Sequence, residues 1–94
     1  MITSFHDKDT EELYRDGKSK QFSAIVKVAL RKLDMIDAAT DLFDLRSPPG
    51  NRLEALKGDR ENQYSIRINM QWRLCFEWPD GAAGPSNVEI VDYH

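Results

Sequence analysis

Four cations, Lys57, Arg60, Arg67 and Arg73, lie close together in the middle of the chain, and Asp92-Tyr93-His94 closes the sequence. Cations fixed on rigid strands can hold a polyanion, because Coulomb attraction then acts without first ordering a flexible loop. Arg73 sits beside a hairpin, where its planar fork could grip two phosphate oxygens. Lys57 falls at a strand end just before Gly58. The competing reading is a row of solvated surface charges, the usual fate of lysine and arginine. At the end of the chain, Tyr93 can stack on a base or donate a proton. A terminal carboxylate near His94 would favour imidazolium, which suits a general acid near neutral pH. Asp92 reads as a group that orients a neighbour. Glu54, three residues before Lys57, is either a base or a salt-bridge partner. Nearby cations lower a carboxyl pKa and weaken it as a base, so pairing is preferred. His6 reads as a surface residue.

Charge is unevenly distributed. The chain has 94 residues and a net charge of −3; residues 46–73 hold 6 basic and 3 acidic side chains, whereas residues 74–94 hold 4 acidic and no basic ones. A local basic face can therefore bind phosphate although long-range steering of a polyanion is weak. The length predicts one domain, residues 1–94, with a core that needs no disulfide or metal. The lone Cys75 excludes an internal disulfide framework and sits in an apolar strand, as a buried, inert thiol would. No metal-ligand cluster, phosphate-cradling glycine loop, nucleophilic triad or paired glycosidase carboxylates can be read, so neither metal nor cofactor is expected. No apolar run approaches the roughly 20 residues that span a bilayer, and residues 1–9 have no secretory apolar region. A cytoplasmic protein without membrane contact is the expectation.

The elements that must position these groups follow from periodicity. Ile2–Phe5 is predicted to be a first strand. Asp9 and Glu12 fit a capping box and Gly17 a stop, giving a helix over residues 10–16. Phe22, Ile25, Val26, Ala29, Leu30, Leu33 and Ile36 recur at helical spacing, predicting a helix over about residues 20–38. Thr40 can cap a further turn with Leu42 and Phe43, and Pro48-Pro49-Gly50 turns the chain. Sheet follows: Leu53–Lys57, a strand with Tyr64, Ile66 and Ile68 on one face, a tight connection at Asn69–Gln71, a strand with Trp72, Leu74, Phe76 and Trp78 on one face, and Val88–Tyr93. Parity puts Arg67 and Arg73 together on the open face opposite the core. The class is α+β: an N-terminal strand and two to three helices packed on one face of a mostly antiparallel sheet.

Leu53-Glu54-Ala55-Leu56-Lys57-Gly58-Asp59-Arg60, Tyr64-Ser65-Ile66-Arg67-Ile68-Asn69, Trp72-Arg73 and Asp92-Tyr93-His94 together resemble the HigB branch of the RelE/ParE toxin superfamily. The resemblance spans essentially the whole chain, including Ile-Thr-Ser-Phe near its start. It implies a RelE-like fold and the toxin of a type II toxin–antitoxin pair. It further implies an endoribonuclease that cuts mRNA on the translating ribosome, neutralised by a HigA-type helix-turn-helix antitoxin through which alone it meets operator DNA. The implied chemistry is attack by an RNA 2′-hydroxyl on the adjacent phosphate, with no metal required. Arg73 and Lys57 match phosphate-binding positions, Tyr93 and His94 the terminal catalytic or substrate-positioning pair, and Asp92 their support. Arg60 and Arg67 are candidate contacts to phosphates of mRNA or ribosomal RNA. The departure is Glu54, where some relatives carry histidine: glutamate accepts a proton but adds negative charge beside the phosphate. Two other readings compete with it, a weakly or non-catalytic subunit that partners the antitoxin in operon control, and the gyrase-poisoning branch of the same fold.

Overall fold

The computed structural model describes residues 1–92. Helix α1, Lys8–Asp16, is capped by Asp7, whose carboxylate accepts from the Thr10 N–H at 2.7 Å. The expected Asp9/Glu12 box is thus displaced by an aspartate two residues earlier, which the extended backbone of residue 7 aims back at the helix. Gly17 ends α1 in the left-handed region at φ 71°, donating its N–H to the Leu13 carbonyl. Helix α2, Val26–Ala38, is shorter than its apolar period predicts. The Ser19 hydroxyl takes the Phe22 N–H, and Ser23–Ile25 winds as a 3₁₀ turn before α2 begins. Phe22 and Ile25 are buried nevertheless, so the spacing marked the core face correctly. Asp41, not Thr40, caps the following turn Leu42–Arg46, in a reciprocal box with Asp44.

Four strands form one antiparallel sheet in sequence order: β1, Glu54–Ala55; β2, Gln63–Arg67; β3, Trp72–Glu77; β4, Ser86–Asp92. Asn69 builds the β2–β3 connection by accepting the Gln71 and Trp72 N–H groups, both at 2.8 Å. One expectation is corrected at each edge. Ile2–Phe5 is no regular strand; it touches β4 through a single parallel bridge, Phe5 to Val88. Asn87 stands at φ 54° and gives its N–H to the Ser4 side chain, which breaks the ladder there. The predicted strand Leu53–Lys57 shrinks to two residues because Gly58, at φ 67°, starts a 3₁₀ turn, Gly58–Arg60.

One face of the sheet makes the core. Ile66, Leu74, Phe76, Trp78, Val88 and Ile90 pack with Leu13, Ala29, Leu33 and Ile36 of the helices. Burial of each leucine, isoleucine, valine and phenylalanine among them contributes about 1.5–3 kcal/mol of transfer free energy. Trp72 joins at the rim, edge-on to Phe22 at 5.5 Å between ring centres. Buried Thr10 ties α1 to the sheet by accepting the Ile90 N–H. The helices therefore occupy one side and leave the other to Ser65, Arg67, Arg73, Cys75 and Glu89.

Candidate active site on the polar sheet face

Strand register sets this face. Glu54 of β1, Ser65 of β2, Cys75 of β3 and Glu89 of β4 lie in one row across the sheet. The next row pairs Arg67 directly with Arg73, and Arg73 with Val91. Two like charges directly opposite each other repel. A fold that keeps such a pair concentrates positive potential at one place.

The face is less open than parity alone predicts. Ser65 and Cys75 are fully buried, and Arg73 retains only 9% of its surface. Arg73 donates from Nε to Ser65 Oγ at 2.8 Å and from Nη2 to the Arg52 carbonyl at 2.6 Å. The carbonyl is available because Arg52 adopts the left-handed region, φ 47°, as the chain leaves the Pro49–Asn51 turn. Glu54 stands 3.7 Å from the same Nη2 and is mostly exposed. Its observed partner is Arg73, across the sheet, although sequence spacing pointed toward Lys57. The two neutral oxygens fix the direction of the buried guanidinium, and Glu54 is a carboxylate near enough to share its charge.

The remaining predicted residues are spread around this centre. Arg67 is half-buried beside Arg73; Lys57 is exposed at the start of the Gly58–Arg60 turn. Neither has a salt-bridge partner among the described residues. Lys57 and Arg60 thus come from the turn after β1, and not from a strand as predicted. Arg60 donates to Glu89 Oε1 at 3.1 Å and to Gln63 Oε1 at 3.0 Å. Asp92 pairs with Trp72, which puts it on the helix side of the sheet, away from Arg73, where it accepts from Gln71 Nε2 at 3.2 Å. Tyr93 and His94 lie outside the described residues. The arrangement can hold an anion on fixed cations, and Arg73 cannot swing away without losing two hydrogen bonds.

Sequence reading missed three members of this face. Ser65 and Glu89 alternate with core residues and were legible by parity. His6 was read as an isolated surface residue, yet its Nε2 lies 3.7 Å from Glu89 Oε2; nothing local announces a contact made across the sheet edge. The Cys75 thiol is pushed up to about 11, first by burial and against the opposing pull of Arg60 and Arg73. That is an inert floor, not a nucleophile. A hollow of about 850 Å³ lined by Asp9, Glu12, Asp16 and residues 18–21 lies elsewhere and shares no residue with this face. Among the described residues no group of three or more His, Cys, Asp or Glu is arranged to hold a metal ion, and no helix is long and apolar enough to cross a membrane.

A family model described as the RelE-like toxin of the type II toxin–antitoxin system HigB matches residues 3–94. The chain belongs to the HigB-like toxin family. It is 46% identical over 85 residues to Toxin HigB-1 of Vibrio cholerae, a match covering 88% of this chain and 90% of that one. It is 36% identical over 95 residues to Endoribonuclease HigB of Proteus vulgaris, along the full length of both. An uncharacterized protein of Haemophilus influenzae is 49% identical over 81 residues, or 86% of this chain and 80% of that one. The α+β architecture, with helices on one side of an antiparallel sheet, agrees with the RelE-like fold this HigB-like family implies. Membership also means that an antitoxin is its partner.

Proposed function

We propose that this HigB-like toxin is an endoribonuclease that cleaves mRNA on the translating ribosome. The observation that carries the proposal is the directly opposed Arg67–Arg73 pair, with Arg73 buried and tethered to Ser65 and the Arg52 carbonyl. A guanidinium held in this way needs no reorganisation as charge grows on a phosphate, which is the requirement for electrostatic catalysis. The name of the Proteus vulgaris relative supports the same chemistry.

In the proposed reaction an RNA 2′-oxygen attacks the adjacent phosphorus and the bond to the 5′-oxygen breaks. The 2′-hydroxyl proton passes to a base, and the leaving 5′-oxygen takes up a proton. Arg73 and Lys57 stabilise the growing charge on the non-bridging oxygens. His94 and Tyr93 serve proton transfer and substrate positioning, Arg67 and Arg60 hold flanking phosphates, and Asp92 supports the terminal pair. Glu54 acts first as the counter-ion of Arg73. The neutralising partner is a HigA-type helix-turn-helix antitoxin, through which the toxin meets operator DNA.

The test is induced expression without antitoxin, with transcript ends mapped by sequencing. Growth arrest with new ends inside translated codons, lost when translation initiation is blocked, is the expected result. Arrest with intact transcripts rejects it. The Glu54–Arg73 contact motivates a second reading, a weakly cleaving antitoxin partner; absence of toxicity with retained antitoxin binding is its signature.

A further inference from the structure

Arg60 reaches the polar face from the turn after β1, and two residues of other elements meet it there. Glu89, on β4 at the far edge of the sheet, accepts from Arg60 Nη1 at 3.1 Å through Oε1. Its second oxygen, Oε2, lies 3.7 Å from His6 Nε2, on the segment that crosses the edge of β4. Gln63 of β2 accepts from the same Arg60 nitrogen. Beneath them lies Cys75, the residue paired with Glu89, whose thiol feels Arg60, Glu89 and Arg73 together. Arg60 and Arg73 therefore stand over one buried floor residue, each with a carboxylate on its outer side: Glu54 for Arg73 and Glu89 for Arg60.

The chain makes this contact across 29 residues of sequence, from a three-residue turn to the opposite edge strand. Arginine carries about 2 kcal/mol of rotamer entropy, and a guanidinium on a short surface turn samples many directions unless something holds it. Glu89 and Gln63 supply two acceptors that fix its direction across the sheet. We propose that Glu89 is a positioning residue for substrate: it holds Arg60 beside Arg73, so that two guanidinium groups receive neighbouring phosphates of a single RNA strand. This rests on the endoribonuclease reading above, but it concerns binding and can be tested apart from cleavage.

Simple electrostatics and a holding role for Glu89 predict effects of opposite sign. Removing a carboxylate from a phosphate-binding face should by charge alone tighten RNA binding. If Glu89 acts by holding Arg60, Glu89→Gln weakens it instead. The experiment uses the full chain and a short single-stranded RNA with 2′-O-methyl groups, which binds but cannot be cut, alongside mRNA cleavage in a reconstituted translation system. Thermal melts set the folded fraction of each variant. Glu89→Gln is expected to lower affinity and raise KM by about threefold to tenfold, the range for misaligning one charge-assisted contact, with kcat within about twofold. Glu89→Asp restores part of the affinity, and Arg60→Ala with Glu89→Gln is no weaker than Arg60→Ala alone. Unchanged or tighter binding by Glu89→Gln, or additive losses in the double variant, overturns the proposal. Wild-type protein that binds the RNA with these dependences yet cuts no mRNA sinks the endoribonuclease reading and leaves the positioning role standing. Protein that neither binds nor cuts RNA sinks both.

Discussion

Replacing Arg73 by lysine separates charge from geometry. Arg73 uses Nε for Ser65 and Nη2 for the Arg52 carbonyl, so two of its nitrogens are fixed by oxygens of the fold. A lysine ammonium keeps the charge but has one nitrogen, so it cannot hold both oxygens and a phosphate in the same geometry. Arg73→Ala loses the charge as well. Its two hydrogen bonds from a charged donor are each worth about 1.5–3 kcal/mol. Relief of the Arg67 repulsion returns about 0.2–1 kcal/mol, and the exposed Glu54 pair was worth at most about 1 kcal/mol. Removing a buried cation also ends its desolvation penalty, so Arg73→Ala should destabilise by about 2–4 kcal/mol. Its effect on chemistry is larger: loss of one preorganised charge-stabilising donor lowers kcat by about 10²–10³. Arg73→Lys should fall between, at about tenfold to a hundredfold, because charge survives while direction does not. The assay is the initial rate of cleavage of one mRNA in a reconstituted translation system, with circular dichroism melts for stability. Arg73→Lys within about threefold of wild type would show that the fork and its two anchors are irrelevant. Undiminished cleavage by Arg73→Ala would remove the residue from the mechanism.

Glu54→Gln should raise RNA affinity and leave or increase the cleavage rate if Glu54 is the counter-ion of Arg73; a large fall in kcat would make it the base instead. Cys75 should resist iodoacetamide in the native protein at pH 8 and react promptly in denaturant, since burial holds its thiol at about 11; rapid native labelling refutes the buried floor. The same shift fixes a sign: above the ordinary value of 9.0 the unfolded chain loses this proton first, so stability falls between about pH 9 and 11. Cys75→Ala should lessen that fall in denaturant titrations, leaving the part due to Tyr14, whose hydroxyl is also pushed up by burial. Asn51→Ala should destabilise by about 2 kcal/mol, near 10 °C in Tm, because its fully buried amide donates to the Leu45 and Ser47 carbonyls and accepts from Lys32. A Tm within about 2 °C of wild type would show that this buried bracket is dispensable.

What the sequence made legible depended on the range of the interaction. Period-two alternation put Arg67 and Arg73 on one face and Trp78 in the core, because strand parity is a local rule. Helical spacing found the buried face of α2 even where Phe22 and Ile25 sit in a 3₁₀ turn. Caps were harder: Asp7 and Asp41 each displaced a neighbour of similar chemistry, since several short polar side chains compete for the same N–H groups. Non-local contacts were not legible. The Arg73 bond to the Arg52 carbonyl spans 21 residues, and His6 meets Glu89 only because residues 3–6 run along β4. The burial of Arg73 follows from those contacts, and no pattern of apolar spacing encodes it.

The same contacts explain how a chain of net charge −3 carries a cationic face. Its acidic side chains could neutralise the site by sitting at its centre, and the register prevents this. Across the row from β1 to β4, the carboxylates Glu54 and Glu89 occupy the two ends, and the small residues Ser65 and Cys75 occupy the middle. Small middle positions leave room for Arg73 and Arg60 to lie over the sheet, so positive charge gathers inward while its counter-ions stay at the flanks. At about 0.15 M salt, screening acts over about 8 Å. The distant acids that set the net charge therefore contribute little at the centre, whereas the arginines act there at contact range. Net charge governs how slowly a polyanion is drawn in; the alternation of strand positions decides what it meets on arrival. On the proposed ribosomal reading, the toxin needs no long-range field of its own, because the ribosome brings the phosphates with it.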